Sequence, residues 1–273
     1  MTQSVTSRAG DTGTVDRPII ELRNVSKRFG RLVVLDGVSL QLHRGQTTVV
    51  IGESGTGKSV LLKHLIGLLK PDSGEVYFDG RRVDRLSPKQ WVEVRRRFGM
   101  LFQGAALFDS MTAVQNVEFP ILEHRSVSPS EARAIAMEKL RMVGLEEFAD
   151  KKPAQLSGGQ RKRVGLARAI ALDPEVILYD EPTTGLDPIR ADVINELILK
   201  LKRELGVTSV VVTHDMASAY KVADRIVMLC DGQFIADGTP DEIRHSTDDR
   251  VRRFVEGRAD EDELASLRAE SPK

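Results

Sequence analysis

At 273 residues the chain is long enough for one large domain, or for a core with an attached subdomain. Forty basic side chains cancel forty acidic ones, so no global field draws it to nucleic acid or anionic lipid; one cysteine excludes an internal disulfide framework and fits a reducing compartment. No apolar run approaches the ~18 residues of a membrane span, and the N-terminus lacks the charged-then-apolar pattern of a signal segment.

Residues 1–17 are rich in Ser, Thr, Gly and charge and read as a disordered tail. Across 18–46 the alternation in Ile19-Ile20-Glu21-Leu22 and Val38-Ser39-Leu40-Gln41-Leu42 predicts antiparallel strands. The stretch Gly74-Glu75-Val76-Tyr77-Phe78-Asp79-Gly80 continues that pattern with a turn at each end. Between these lies Thr47-Thr48-Val49-Val50-Ile51, a short β-branched strand, followed by Gly52-Glu53-Ser54-Gly55-Thr56-Gly57-Lys58-Ser59 and a helical apolar spacing over 60–66. A strand, a glycine-rich loop and a helix in that order are what a phosphate loop needs. The glycines let the backbone curl so that its N–H groups surround β- and γ-phosphates, Lys58 supplies a point charge, and the Ser59 hydroxyl ligates Mg²⁺.

Residues 103–152 read as mainly helical, with 130–143 the clearest amphipathic run; Pro129 and Ser130 mark its start and Gly144 its end. Trp91 reads as packing. The basic runs Arg95-Arg96-Arg97 and Arg161-Lys162-Arg163 read as solvated helix faces rather than a nucleic-acid site. In Leu156-Ser157-Gly158-Gly159-Gln160, Ser157 can cap the helix that follows, and two glycines leave its first N–H groups unshielded, which makes an anion site. Standing alone it would be an ordinary capped surface helix. It stands between the phosphate loop and an acidic strand.

That strand is Glu175-Val176-Ile177-Leu178-Tyr179-Asp180-Glu181, an apolar run without polar alternation, as in a parallel sheet buried on both faces. Asp180 would hold Mg²⁺ through its water shell, and Glu181 would polarise an attacking water as general base. A third such strand, Thr208-Ser209-Val210-Val211-Val212-Thr213, ends at His214. In open parallel sheets ligands bind just beyond the carboxyl ends of the strands, so three candidate groups converge on one edge. Beyond it come a strand over Arg225–Cys230, a hairpin through Phe234-Ile235-Ala236 and a short helix near Pro240–Arg244. Cys230 reads as a buried core residue, and Cys/His clusters are absent. Residues 251–257 and the charged tail over 258–273 read as a tail or a dimer contact. The residues after His214 read as too few for an appended regulatory domain, and no internal repeat is visible.

The Leu156-Ser157-Gly158-Gly159-Gln160 signature, with the phosphate loop before it and Asp180-Glu181 after it, resembles the ATP-binding cassette (ABC) ATPases over nearly the whole chain. The resemblance implies an α/β P-loop NTPase of the ABC ATPase fold. Its mostly parallel core sheet would be flanked by helices, with an antiparallel β-subdomain on the adenine side and a helical subdomain at about 104–165, the whole spanning 18–257. It also implies ATP and Mg²⁺ as ligands. His214 matches the family's switch histidine on the γ-phosphate, and Gln103 the glutamine that senses Mg²⁺ and the attacking water. Asp187, in Gly185-Leu186-Asp187-Pro188, matches the polar contact of the loop that crosses the dimer interface. Phe29 sits where the family stacks an aromatic ring, usually tyrosine, on adenine; phenylalanine keeps the π-face and loses the hydroxyl. In a homodimer Ser157, Gly158, Gly159 and Gln160 would meet the γ-phosphate of an ATP held by the second copy.

Within the family, Met100-Leu101-Phe102-Gln103-Gly104-Ala105-Ala106-Leu107-Phe108-Asp109-Ser110-Met111-Thr112, Asn116-Val117-Glu118-Phe119-Pro120 and 251–257 look like the ATPase subunit of Mla/Mce-type lipid transporters. That implies a subunit held peripherally at the cytoplasmic face of the inner membrane. Its partners would be an integral-membrane permease, an Mce-type lipid-binding protein and a small accessory subunit. Gln160 is a departure, because some lipid-transport relatives replace it; an ATPase of an amino-acid-type importer is the alternative. Soluble ABC proteins of translation or DNA repair usually carry two cassettes or a long coiled-coil insertion, and this chain has neither. Leu107 and Phe108 would anchor a coupling helix of the permease, or else fill the core of the helical subdomain.

Overall fold

The computed structural model describes residues 17–259. The tails expected at 1–17 and 258–273 lie outside these residues, apart from Arg17, Arg258 and Ala259. In chain order the strands are β1 (Ile20–Phe29), β2 (Leu32–Leu42), β3 (Thr47–Ile51), β4 (Ser73–Phe78), β5 (Arg81–Arg82), β6 (Phe98–Leu101), β7 (Val176–Asp180), β8 (Thr208–Val212), β9 (Arg225–Cys230) and β10 (Gln233–Gly238). The helices are α1 (Lys58–Leu65), α2 (Pro88–Arg95), α3 (Ala113–His124), α4 (Pro129–Met142), α5 (Gly158–Ala169), α6 (Pro188–Leu205), α7 (Met216–Val222), α8 (Pro240–Arg244) and α9 (Asp249–Glu256).

Two sheets organise these elements. One is antiparallel with the order β2-β1-β4-β5; the other runs β10-β9-β3-β8-β7-β6 and is parallel throughout except at the β10–β9 hairpin. The uninterrupted apolar runs of β3, β7 and β8 are explained by burial on both faces. Val50, Leu178, Val210, Val212 and Val227 point into a core shared with α1, Trp91 of α2 and the antiparallel sheet. Their neighbours Val49, Ile51, Ile177, Tyr179, Val211 and Met228 point into a second core closed by α3 to α7. Successive strand residues face opposite ways, so each core takes every other side chain.

The segment from 104 to 165 carries α3, α4 and the first turns of α5, which bury Val114, Val117, Ile121, Ala132, Ala136, Leu140, Val164 and Ala167 against one another and the main sheet. Capping boxes start α3 (Thr112 with Gln115), α4 (Ser128 with Glu131) and α5 (Ser157 with Gln160), satisfying N–H groups that the helix itself leaves open. The cap of α4 is thus Ser128, with Pro129 in the first helical position.

Two expectations need correction. The basic runs are not solvated faces. Arg95 donates to the carbonyls of Ile66 and Gly67 at 2.9 and 2.8 Å, and Arg97 joins Glu175 and Asp79. Lys162 is 5% exposed, and Arg163 donates to the carbonyls of Val143 and Gly144. Arg95, Arg97, Lys162 and Arg163 each close a carbonyl or carboxylate of another element, and there tertiary contact outweighs the solvation that charge alone predicts. Cys230, the last residue of β9, is half-buried and lines a cavity with Arg250, Arg253 and Phe254 of α9. Trp91 does pack: its indole lies over Gly67, where a Cβ would come within 2.1 Å of the ring.

Candidate nucleotide site

Four neighbouring strands deliver the site. β3, β8, β7 and β6 lie side by side and parallel, so their carboxyl ends form one edge. The loop 52–57 follows β3, His214 follows β8, Glu181 follows β7 and Gln103 follows β6. Lys58, Ser59, Gly55, Gly57, Gln103, Glu181, His214 and, across from them, Phe29 line one cavity of about 510 Å³.

The loop is built for close approach. At Gly52 (φ 150°) a Cβ would lie 2.3 Å from the Leu229 carbonyl oxygen, and at Gly57 (φ 100°) it would strike Val34 at 2.6 Å. No side chain caps α1 after Gly57, so its first N–H groups face the cavity. Lys58 is buried and its ammonium donates to the carbonyls of Gly52 and Glu53 at 2.7 Å each. Burial pushes its pKa below the ordinary lysine range, while Glu181, Asp180 and Glu53 oppose that shift. Ser59 Oγ donates to Asp180 Oδ1 at 2.8 Å.

Glu181 is held on several sides. Its backbone is left-handed (φ 49°), with its N–H donating to the Val212 carbonyl at 2.9 Å and its own carbonyl accepting from Lys162 Nζ at 3.0 Å. Oε2 accepts from the Thr184 hydroxyl at 2.9 Å and lies 2.9 Å from His214 Nδ1. That fixes the carboxylate through Oε2, while among the described residues Oε1 accepts no hydrogen bond. Phe29 is 47% exposed, with the Lys27 ammonium 5.5 Å from its ring centre, and it forms an apolar wall with Leu32 and Val34.

The signature residues stand apart from this cavity. Ser157 Oγ accepts from the Gln160 N–H, and Ser157, Gly159 and Gln160 line a small separate hollow with Arg190 and Val193. Asp187 caps α6 through the Arg190 N–H at 3.0 Å. The chain therefore brings together the phosphate loop, Asp180, Glu181, His214, Gln103 and Phe29, and leaves Ser157, Gly158, Gly159, Gln160 and Asp187 elsewhere on its surface.

Beyond Gln103 the chain takes an unusual path. Ala105 and Ala106 both adopt left-handed backbone (φ 61° and 48°), a conformation costing roughly 1–2 kcal/mol for a residue with a Cβ. Their carbonyls accept from the Arg168 guanidinium at 2.8 and 2.7 Å, and burial lowers the Arg168 pKa. After this turn Leu107 packs into the core near α3, whereas Phe108 is 42% exposed and meets Phe119 edge-on at 5.0 Å. Phe108, Phe119, Pro120, Phe98, Met100 and Phe102 line an apolar groove of about 360 Å³. Leu107 thus meets the core-filling reading, and Phe108 does not.

Thr184 and Arg168 were not singled out from the sequence, and Lys162 entered only as part of a basic run read as solvated. Thr184 had a signal: a hydroxyl three residues after Glu181. Lys162 had one as well, since it lies three residues after buried Gly159 and four before buried Leu166, on the inward face of α5.

An ABC transporter family model matches residues 35–184. The intermembrane phospholipid transport system ATP-binding protein MlaF of Haemophilus influenzae is 43% identical over 246 residues, covering 90% of this chain and 93% of that one. MlaF of Escherichia coli K12 is 40% identical, covering 89% and 90%. The probable ribonucleotide transport ATP-binding protein mkl of Mycobacterium leprae is 43% identical, covering 88% of this chain and 69% of that one. Among solved structures, the dimeric post-hydrolysis state of the cassette MJ0796 bound to ADP and Pi superimposes with a TM-score of 0.75 at 39% identity, covering 81% and 98%. On the family match, these identities and this shared fold, the chain belongs to the ABC transporter family, as an ABC ATPase.

Proposed function

We infer that the chain is the ATP-hydrolysing subunit of a membrane transporter that moves phospholipid or a related lipid. The observation that carries the lipid assignment is the match to MlaF, which runs nearly end to end in both chains. The mkl match leaves about a third of that protein uncovered, and neither name points to amino-acid import.

In this reading the 52–59 loop and Lys58 hold the β- and γ-phosphates, and Phe29 stacks on the adenine. Mg²⁺ fits the donors present. Ser59 and Asp180 offer hard oxygens side by side, and among the described residues no cluster of three acidic, His or Cys side chains exists to cage a metal alone, so phosphate and water must complete the shell. Bound there, Mg²⁺ would neutralise phosphate charge, with Asp180 reaching it through water. Glu181 takes the proton of the water that attacks the γ-phosphorus, and His214 and Gln103 orient the γ-phosphate and that water.

Ser157, Gly158, Gly159 and Gln160 complete the site of a second copy in a head-to-tail homodimer, with Asp187 across the interface. Neither Gly158 nor Gly159 has a positive φ, and a Cβ on either would meet only ordinary contacts at 3.5 Å or more. Nothing within the chain calls for glycine there, which supports a ligand arriving from outside. Exposed Ile189 (79%) and Val193, one turn apart beside the same hollow, supply apolar area for the contact. The Phe108 groove takes a coupling helix of an integral-membrane permease at the cytoplasmic face of the inner membrane. An Mce-type lipid-binding protein and a small accessory subunit complete the assembly. Among the described residues no helix is long and apolar enough to cross a membrane, consistent with a peripheral subunit. The domain limits follow: a cassette over 18–257 with its helical subdomain at about 104–165.

Reconstitution with the co-purifying membrane subunit and labelled phospholipid tests the substrate. ATP-dependent lipid movement is expected; stimulation by an amino acid with its binding protein, and none by lipid, would assign the alternative. Mixing Lys58→Ala with Ser157→Arg chains tests the dimer, since one composite site per mixed dimer should survive.

A further inference from the structure

Buried charge without an ion-pair partner is rare, because desolvation is costly. Among the described residues Lys162 is such a charge. It is 5% exposed, and the hydrogen bond that its ammonium makes is to a carbonyl, that of Glu181, at 3.0 Å. Burial pushes its pKa below the ordinary lysine range, while the Glu181 and Asp180 charges oppose that shift. Lys58 approaches the same acid pair from α1, so two buried ammonium groups flank it. The Lys162 contact falls on a strained element, the left-handed backbone of Glu181.

Lys162 lies in α5, whose N-cap is Ser157. Five residues separate them along one rigid helix, roughly 7.5 Å of axial rise. The start of α5 belongs to the opposite nucleotide in the proposed dimer, while its second turn touches the general-base residue of its own chain. One helix therefore reaches both sites.

We propose that Lys162 is a positioning residue that couples the two ATP sites: by holding the Glu181 carbonyl it lets docking of each α5 on the opposite nucleotide set the catalytic carboxylate of its own chain. This rests on the head-to-tail dimer reading. When the Ser157 end of α5 is drawn onto a γ-phosphate, the ammonium moves with the helix and carries the Glu181 backbone into register; when it is not, Glu181 is held off line. ATP bound in one site thereby prepares hydrolysis in the other.

The test uses the full-length chain, with ATPase rate measured against ATP concentration for wild type, Lys162→Met and Lys162→Arg. Wild type is expected to show a Hill coefficient above one. Lys162→Met should lower kcat about tenfold, the loss of one charge-assisted hydrogen bond, and bring the Hill coefficient to one, with binding of a fluorescent ATP analogue unchanged. Lys162→Arg, which keeps charge and donors, should restore cooperativity. Should Lys162→Met fail to fold, Lys162→Ala takes its place with the same expectation. A dimer whose cooperativity survives loss of the ammonium overturns the coupling alone. A Glu181→Gln chain that stays monomeric with ATP in the ultracentrifuge overturns the dimer reading, and the coupling with it.

Discussion

His214 Nδ1 lies 2.9 Å from Glu181 Oε2, although the two residues close different strands of the main sheet. The contact assigns the Nδ1 proton to the imidazole and leaves Nε2 turned elsewhere. It joins the Thr184 hydroxyl in occupying one carboxylate oxygen, so the other is the oxygen available to a water.

Glu181→Gln keeps this geometry, since the amide oxygen still accepts from Thr184 and His214, and removes the proton acceptor. ATP should bind normally while turnover falls ~10²–10⁴-fold, the usual weight of a general base. Single-turnover hydrolysis of radiolabelled ATP measures it. Normal turnover would place the base elsewhere, with His214 the next candidate.

Thr184→Val removes the hydroxyl without changing the side-chain shape. Turnover should fall roughly tenfold, as for loss of one hydrogen bond to a charged group, with KM for ATP unchanged. Thr184→Ser should recover most of the rate. A loss in Thr184→Ser with none in Thr184→Val would mean that the methyl group, not the hydroxyl, matters.

Leu107 and Phe108 should separate cleanly. Leu107→Ala should lower unfolding stability by about 2 kcal/mol, because it withdraws apolar area from the core. Phe108→Ala should leave urea unfolding nearly unchanged and abolish capture of the membrane subunit from detergent extracts. Retained capture would remove the groove from the interface.

Acid sensitivity should depend on the Arg97 cluster. Hydrogen bonding from Arg97 holds the Glu175 and Asp79 carboxyls below their ordinary range, and Arg44 reinforces both. Depressed folded pKa values give stability that is present above the unfolded carboxylate range near ~4 and is lost as pH falls through the folded values. Glu175→Gln should therefore lower the urea midpoint at pH 7, and its difference from wild type should shrink as pH falls through the depressed folded range. The difference should also narrow in 1 M salt, because these side chains are partly exposed.

Much of this was legible in the sequence because burial and chemistry left separate marks. The runs of β3, β7 and β8 have no polar alternation, and only a two-sided core explains that. Each then ends in residues that an apolar core rejects, which pointed to one edge before the strand order was known. Lys162 and the run Arg95-Arg96-Arg97 misled because charge predicts solvation, whereas their partners are carbonyls and carboxylates distant in sequence. Leu107 and Phe108 could not be assigned to faces by spacing, since periodicity presumes regular backbone and Ala105 and Ala106 break it.

That break has a mechanical consequence. A flexible linker between Gln103 and the Phe108 groove would absorb displacement as slack. Here the intervening turn is held at both left-handed alanines by one guanidinium of α5, and the backbone N–H of Phe108 is clamped by Asn116 Oδ1 at 2.8 Å. The segment behaves as a stiff crank with its pivot on the signature helix. On the proposed reading, a push on the groove would reach Gln103 as rotation about Arg168, and the same pivot would return to the groove any shift of α5 on nucleotide.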